Sequence, residues 1–175
     1  AKGMMKTAIR DNNPVVFFEH QAFGLDDLTG PVPEEEYTIS LGKADIKLEG
    51  QDVTIIAIAE MVHESLIAAK ALESEGVSVE ILDPRSLVPL DRGAIQESVR
   101  KTGRVIVVDE ACITGSAAAE IMAVITEDLD TFRALKAPPK RVCAPDVPIP
   151  YSPVLESYCI PDSNQIMAAI RDILK

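Results

Sequence analysis

The sequence is poor in several residue types that mark specialised sites and folds. It contains no tryptophan and only two histidines among 175 residues. Its three cysteines, Cys112, Cys143 and Cys159, show no short metal-ligand spacing and no C-x-x-C pair. No apolar run approaches the roughly 20 residues that a membrane span requires, and no signal-peptide pattern opens the chain. These absences predict a cytoplasmic protein with reduced thiols.

The charge balance is strongly acidic. There are 17 Lys and Arg residues against 28 Asp and Glu residues, which gives a formal net charge of −11. An excess of acid on this scale disfavours nucleic acids and anionic membranes as partners. The hydrophobic fraction of 47% is that of an ordinary globular protein. The length suits one domain with a short appendage.

The hydrophobic pattern predicts an open α/β fold. A helix over the first ten residues ends at the turn 11–14, the apolar run 15–19 predicts a short buried strand, and 44–49 alternates as an edge strand does. Continuous apolar strands then alternate with helices: the strands are 53–58, 79–83 and 105–109, and the helices are 61–75, 91–101 and 115–128. A last helix starts at Asp162 or Ser163. This alternation predicts a three-layer, mostly parallel sheet with helices on both faces and an antiparallel edge strand.

The most informative segment is 141–156, which contains Pro145, Pro148, Pro150 and Pro153. Proline fixes φ and removes a backbone donor, so we expect an ordered, packed connection here rather than a helix. The segment resembles the D-V-P-x-P-Y-[SA]-P-x-L-E signature of the β subunits of thiamine diphosphate-dependent 2-oxo acid dehydrogenases. Further motifs of that family occur in the same order along the chain, at 32–39, 42–45, 50–54, 83–91 and 108–111.

The resemblance implies a division of the chain and a role for it. Residues 1–20 are expected to be a remnant of the pyrimidine-binding domain, 21–43 an interdomain connection, and 44–175 a transketolase C-terminal-type domain. The intact enzyme would use thiamine diphosphate and Mg²⁺, decarboxylate a 2-oxo acid or cleave acetoin, and work with an α subunit, a second β subunit and a lipoyl-bearing acyltransferase. The family's catalytic residues lie outside this sequence, so we expect the chain, as part of a longer subunit, to be inactive alone.

One metal site is implied by the resemblance. Many family members bind K⁺ near the end of the pyrimidine-binding domain, and the matching residues here are Ala8, Ile9, Asp11 and Asn13. Unpaired carbonyls at a helix C-terminus and hard side-chain oxygens suit a monovalent cation. The same Asp11 and Asn13 would also form the turn that stops the helix, and both interpretations stay open.

Other candidate residues favour structural roles over chemistry. Ligand sites in open parallel sheets lie beyond the carboxyl ends of strands, where Glu60, Arg85 and the run 114–116 are expected. The last of these could offer N–H groups to an anion. The two histidines, His20 and His63, show no acid-base partner in the sequence. Cys112 precedes a helix but has no histidine nearby in sequence to form a nucleophilic pair.

The sequence determines neither the substrate of the enzyme nor how the acyltransferase would dock. Many pyruvate-type relatives carry Asp at the position of Lys136, where it helps to bind a basic docking domain of the acyltransferase, and a lysine would repel that partner. A transketolase-like enzyme such as 1-deoxyxylulose-5-phosphate synthase is an alternative that the motifs 32–38 and 146–156 disfavour. A free-standing assembly or regulatory module without activity is a second alternative.

Overall fold

A computed structural model describes residues 1–20 and 31–175. The chain begins with helix α1 (Lys2–Arg10), and the sheet domain starts at strand β1 (Asp45–Leu48). The remaining elements follow in the order β2 (Val53–Ala57), α2 (Met61–Leu72), β3 (Val79–Asp83), α3 (Arg92–Thr102), β4 (Val105–Cys112), α4 (Ala117–Glu127), α5 (Leu129–Ala134), β5 (Lys140–Ala144), α6 (Pro153–Cys159) and α7 (Ser163–Ile173).

The five strands form one sheet in the order β1-β3-β2-β4-β5. Strands β2 to β5 are parallel, and β1 pairs antiparallel with β3 at one edge. In the centre of the sheet, Ile55 pairs with Ile81 on one side and with Ile106 on the other. The predicted α/β architecture with its antiparallel edge strand is confirmed.

Helices cover both faces of the sheet. One face packs against α2 and α7, with Met61, Leu72 and Ile166 among its buried residues. The other face packs against α3 and α4, where Ile95 and Ile121 are fully buried. Among the described residues, no helix is long and apolar enough to cross a bilayer.

Short polar side chains fix the beginnings of three helices. Asp91 accepts a hydrogen bond from the Ala94 N–H and so caps α3, at the start of the predicted helix 91–101. Asp128 caps α5 in the same way, and Asp162 caps α7 by accepting from the Gln165 N–H. Each side-chain oxygen satisfies an N–H that the first helical turn leaves without an intrahelical partner.

Helix α1 packs against the chain segment 33–39, part of the predicted connection 21–43. The Thr7 hydroxyl donates to the Ile39 carbonyl at 2.7 Å, and the Ile39 N–H donates to the Gly3 carbonyl. The Lys2 ammonium contacts the carbonyl oxygen of Pro33. Residues 21–30 of the predicted connection lie outside the described part of the chain.

Two predictions of local structure were wrong. Residues 15–19 do not form a strand, and the side chains of Val16 and Phe18 are exposed. An apolar run becomes a strand only where another strand accepts its backbone hydrogen bonds, and none of the described strands pairs with it.

The prediction for the proline-rich segment was also wrong. The segment contains all of β5 except its first residue, and the first half of α6. Pro153 occupies the first turn of α6, where a helix loses no hydrogen bond to proline. The loop between these elements and most of α6 are exposed rather than packed.

Candidate functional site

The carboxyl ends of the four parallel strands meet at one edge of the sheet, as the sequence predicted. We call this the carboxyl edge. It includes Glu60 after β2, Arg85 after β3, Glu110 near the end of β4 and the loop 145–152 after β5. Ligand sites of open α/β folds occupy this position, so the polar groups of this edge are the candidate functional groups of the chain.

Arg85 holds the chain segment that leads into β1. Its guanidinium donates to the Lys43 carbonyl at 2.9 Å and to the Ala44 carbonyl at 3.0 Å. The backbone N–H of Arg85 donates to the Asp83 carboxylate, and the φ of Arg85, 57°, lies in the left-handed region. Because the guanidinium is engaged with backbone, Arg85 has a structural role at the edge of the sheet.

The start of α4 is also occupied by carboxylates of the protein. Asp109 is buried and accepts from the Ala111 and Ala118 N–H groups, at 3.1 and 3.4 Å. Asp146 accepts from both the hydroxyl and the N–H of Thr114, which lowers the pKa of Asp146. These carboxylates take the place of the anion considered at 114–116, and the arrangement favours structural use.

The structure gives His20 a partner that the sequence did not indicate. Its Nε2 lies 3.0 Å from Oε2 of Glu110, and both side chains are half-buried. The contact joins the segment after α1 to the end of β4, residues far apart in sequence, so no local pattern could have indicated it. His63 lies in the first turn of α2 and is half-buried.

The predicted cation ligands form a tight turn after α1. The Asp11 N–H donates to the Ala8 carbonyl at 3.3 Å, while the Asp11 carboxylate accepts from the backbone N–H and the side-chain amide of Asn13. These hydrogen bonds lower the pKa of Asp11. Ile9, Asp11 and Asn13 are exposed, whereas Ala8 is half-buried, so most of the turn faces solvent.

The cysteines fit packing roles. Burial, more than any other effect, raises the pKa of the Cys143 thiol, and the nearby Asp109 carboxylate adds to it. A raised pKa makes a thiol a poorer nucleophile at neutral pH. Cys159 is buried, and the Cys112 sulfur lies 4.0 Å from the Val147 carbonyl oxygen.

Lys136 has a role that sequence reasoning missed. Its ammonium donates to the Thr102 carbonyl at 2.9 Å, and its backbone N–H donates to the Gly103 carbonyl at 2.7 Å. Both acceptors lie at the C-terminal end of α3, where carbonyls lack helical partners and carry partial negative charge. Lys136 therefore stabilises the end of α3.

The carboxyl edge also presents an exposed apolar surface. It comprises six large side chains of the loop after β5 and of α6, with exposed fractions from 44% to 102%: Val147, Ile149, Tyr151, Val154, Leu155 and Tyr158. Within α6 only Cys159 is buried. Clusters of exposed apolar residues on this scale mark interaction sites, and we call this cluster the apolar edge surface.

The fold and this edge place the chain in a known class. Residues 42–166 match the family of the transketolase C-terminal domain. The chain therefore belongs to that family.

Curated relatives are similar over nearly the whole chain. The β subunit of an acetoin:2,6-dichlorophenolindophenol oxidoreductase from Bacillus subtilis (strain 168) is 46% identical over 99% of the chain and 50% of its own length. The β subunit of the pyruvate dehydrogenase E1 component from the same organism is 47% identical over 100% of the chain and 53% of its own length. The chain thus resembles β subunits of 2-oxo acid and acetoin dehydrogenases and spans about half the length of these relatives.

A solved structure shares the fold. A split-gene transketolase, an inactive β4 tetramer, is similar with a TM-score of 0.68 and 30% identity, over 78% of the chain and 44% of that protein. The likeness supports the family assignment independently of the curated sequences.

Proposed function

We propose that this chain is the C-terminal part of the β subunit of a 2-oxo acid or acetoin dehydrogenase and provides contacts for subunit assembly. The observation that carries the proposal is the apolar edge surface, which exposes Tyr151, Leu155 and Tyr158 at the proline-rich signature. A protein surface of this composition is stabilised when a partner covers it. The similarity to dehydrogenase β subunits supplies the class of enzyme.

We further propose that thiamine diphosphate and Mg²⁺ act in the assembled enzyme and are held outside this chain. Within 1–20 and 31–175, no group of three or more His, Cys, Asp or Glu side chains is arranged to hold a metal ion. The N–H group of Ala118, which could meet a phosphate at the start of α4, is engaged by Asp109. These two observations support a cofactor site that lies outside the described residues.

The proposed partners are a second β subunit, the α subunit and a lipoyl-bearing acyltransferase. Self-association is supported by the apolar edge surface and by the β4 assembly of the similar split-gene transketolase. Acyltransferase docking is the finer proposal. Lys136 matters for this docking, because a lysine charge would repel a basic partner. Its ammonium lies against the C-terminal end of α3, so the helix terminus offsets part of that charge.

The division of the chain and the cation site belong to the same proposal. The family match from residue 42 to residue 166 supports a domain covering 44–175, with 1–20 belonging to a preceding domain and 21–43 connecting them. The K⁺ site would use the Ala8 and Ile9 carbonyls with oxygens of Asp11 and Asn13. The exposed Asp11 carboxylate supports it, although one of its oxygens already accepts from Asn13.

Sedimentation of the 175-residue chain tests the assembly role. Leu155 and Ile67 are both 55% exposed, but only Leu155 belongs to the apolar edge surface, which makes Ile67 a matched control. We expect the chain to self-associate, Leu155→Ser to weaken association at least about tenfold, and Ile67→Ser to change it less than about twofold, as a central contact requires. A chain that stays monomeric up to millimolar concentration would contradict the proposal.

Turnover measurements test the enzyme class. The complete β subunit, coexpressed with its α subunit, should release CO₂ from a 2-oxo acid or cleave acetoin in a thiamine-dependent assay, whereas the 175-residue chain should not. The preferred substrate identifies the branch. Absence of turnover in the assembled enzyme would reject the dehydrogenase class and favour an assembly module without activity.

A further inference from the structure

A groove lies between the start of α2, α6 and the segment that leads into α7. Its volume is about 310 Å³, near the lower end of the range for small-ligand clefts. It is large enough for one long side chain and small for a nucleotide or thiamine cofactor. We call it the α2–α6 groove.

The groove is lined by apolar residues and by carboxylates. Met61, Pro153, Ile160 and Pro161 supply most of the apolar lining. Four carboxylates line the same space: Glu60, Glu64, Glu156 and Asp162. Among the residues that the structure describes, no Lys or Arg lines it. The charge of this lining is therefore of one sign.

Two of these carboxylates are held by α7. Glu64 accepts from the Ser163 N–H at 2.7 Å, and Asp162 accepts from the Gln165 N–H at 2.8 Å. They are thereby fixed in position in the groove lining. A ligand would meet carboxylates that are already ordered, which reduces the entropy lost on binding.

Glu60 differs from these two. It immediately precedes α2, yet its side chain makes no capping hydrogen bond to that helix. Its Oε2 is buried and has no hydrogen-bond partner in the described structure. A buried carboxylate oxygen without a partner is costly, and such groups are ordinarily satisfied by a donor. Glu60 therefore indicates a donor supplied from outside the described residues.

We propose that the α2–α6 groove binds an arginine side chain from a segment of a partner protein. The carboxylates of the lining complement a cation, and its apolar residues suit the methylene part of a long basic side chain. Arginine fits better than lysine because its planar guanidinium offers five donors to several carboxylates and is more weakly hydrated than an ammonium. The net charge of −11 attracts a basic segment over a longer range.

The groove is distinct from the apolar edge surface, although both use α6. Pro153 and Glu156 line the groove, whereas Val154, Leu155 and Tyr158 belong to the apolar edge surface. Substitution of Glu60 should therefore leave self-association unchanged, and loss of either property can be observed without loss of the other.

Fluorescence anisotropy with labelled peptides tests the proposal on the 175-residue chain. The probes are fluorescein-labelled peptides in which arginine, lysine or citrulline stands between two leucines, flanked by glycine and serine. We expect the arginine peptide to bind at least about tenfold more tightly than the citrulline peptide, which keeps the shape but lacks the charge. Binding of the arginine peptide should also weaken as salt is added.

Two variants locate the binding. Glu60→Gln removes one charge of the groove, and Glu127→Gln removes one from the exposed end of α4, outside it. We expect Glu60→Gln to weaken arginine-peptide binding about tenfold and Glu127→Gln to change it less than about twofold, with unchanged circular dichroism and thermal midpoint as the folding check. Equal effects of both variants, equal binding of arginine and citrulline peptides, or no binding at millimolar peptide would overturn the proposal, and equal binding of the lysine peptide would overturn the choice of arginine.

Discussion

The amino and carboxyl ends of the parallel strands differ in whether their polar groups are hydrogen-bonded and their apolar groups are buried. At the amino edge, where the parallel strands begin, polar side chains are buried and bonded to one another. The Thr54 hydroxyl lies 2.9 Å from both the Ser98 and the Thr102 hydroxyls. Glu80 is 1% exposed, and its carboxylate accepts from the Ser98 hydroxyl and the Lys101 ammonium.

The carboxyl edge has the opposite character. Its large apolar side chains face solvent, and Tyr151 is fully exposed. In the adjoining α2–α6 groove, a buried Glu60 oxygen has no partner in the described structure. Polar groups are therefore paired within the chain at the amino edge, while the carboxyl edge leaves apolar side chains exposed and one carboxylate oxygen without a partner in the described structure. This contrast predicts that substitutions near the two edges will affect different measurements.

The largest expected difference concerns isoleucines from the sheet and from the apolar edge surface. Ile106 is fully buried in β4, and Ile149 is 44% exposed. Ile106→Ala should lower the free energy of unfolding by about 3 kcal/mol, because it removes buried methylene groups and leaves a cavity. Ile149→Ala should change it by less than about 0.5 kcal/mol. Urea denaturation followed by circular dichroism, at a concentration where the chain is monomeric, measures both. Similar losses would mean that the two regions do not differ.

The next largest effect concerns the buried charge at the amino edge. Lys101→Met leaves the Glu80 carboxylate buried without its ammonium, and we expect a loss of about 2 kcal/mol in unfolding free energy. Lys70→Met, at an exposed lysine of α2, is the control and should have little effect. Adding Glu80→Gln to Lys101→Met should restore part of the loss. A double variant that is less stable than Lys101→Met would contradict this explanation.

The same pair gives a pH dependence with a definite sign. The hydrogen bond to Glu80 is the main cause that raises the pKa of Lys101 above its ordinary value of 10.5. A raised pKa of a basic group means that its stabilisation is complete below 10.5 and is lost as the pH rises through the value in the folded state. Wild-type stability should therefore fall above pH 10.5 more steeply than that of Lys101→Met, which urea denaturation across this pH range measures. Parallel stability curves for the two proteins would show that the pair does not titrate as a unit.

The regular part of the fold could be predicted because its signals are local. Largely apolar runs in β2, β3 and β4 alternate with amphipathic helices. Asp91 and Asp162 cap their helices as their positions indicate. A single helical turn or strand with weak periodicity is harder to detect. Helix α5 and strand β5 were missed for that reason, with six and five residues respectively.

The errors came from features that depend on distant residues or on position within an element. The apolar run 15–19 has the composition of a strand, but strand formation requires a neighbouring strand. The prolines of 141–156 predict the absence of a helix, but Pro153 lies in the first turn of α6, where proline is favourable. The His20–Glu110 pair, the folded-back Lys136 and the unpartnered Glu60 oxygen all depend on tertiary structure. The candidate site was therefore much less predictable than the fold.

A smaller effect is expected at the start of the carboxyl edge. Ala59 follows β2 with a φ of 52°, in the left-handed region that costs a residue with Cβ about 1–2 kcal/mol. Ala59→Gly relieves this cost but adds the entropy of glycine in the unfolded chain, so we expect a net stabilisation of about 0.5 kcal/mol. Ala71→Gly, in the regular helix α2, should instead destabilise by about 1 kcal/mol. Thermal unfolding of the two variants should shift the midpoint in opposite directions, and shifts of the same sign would reject the argument.

The smallest effect tests whether the loop of the apolar edge surface is held in place from within the chain. The Thr114 hydroxyl and N–H both donate to Asp146, at 2.7 and 3.0 Å, and lower the pKa of that carboxyl below 3.8. Because the pKa is lowered on folding, the stabilisation is present above that value and is lost as the pH falls through the folded-state pKa. Thr114→Val removes the hydroxyl and keeps the N–H, so the pKa of Asp146 should rise part of the way toward 3.8. Asp128, whose pKa is lowered by Thr131 in α5, is the internal control and should not move. Carbon-detected NMR titration of the side-chain carboxyls measures both groups in one sample. An unchanged pKa of Asp146 would show that the Thr114 hydroxyl does not hold the loop.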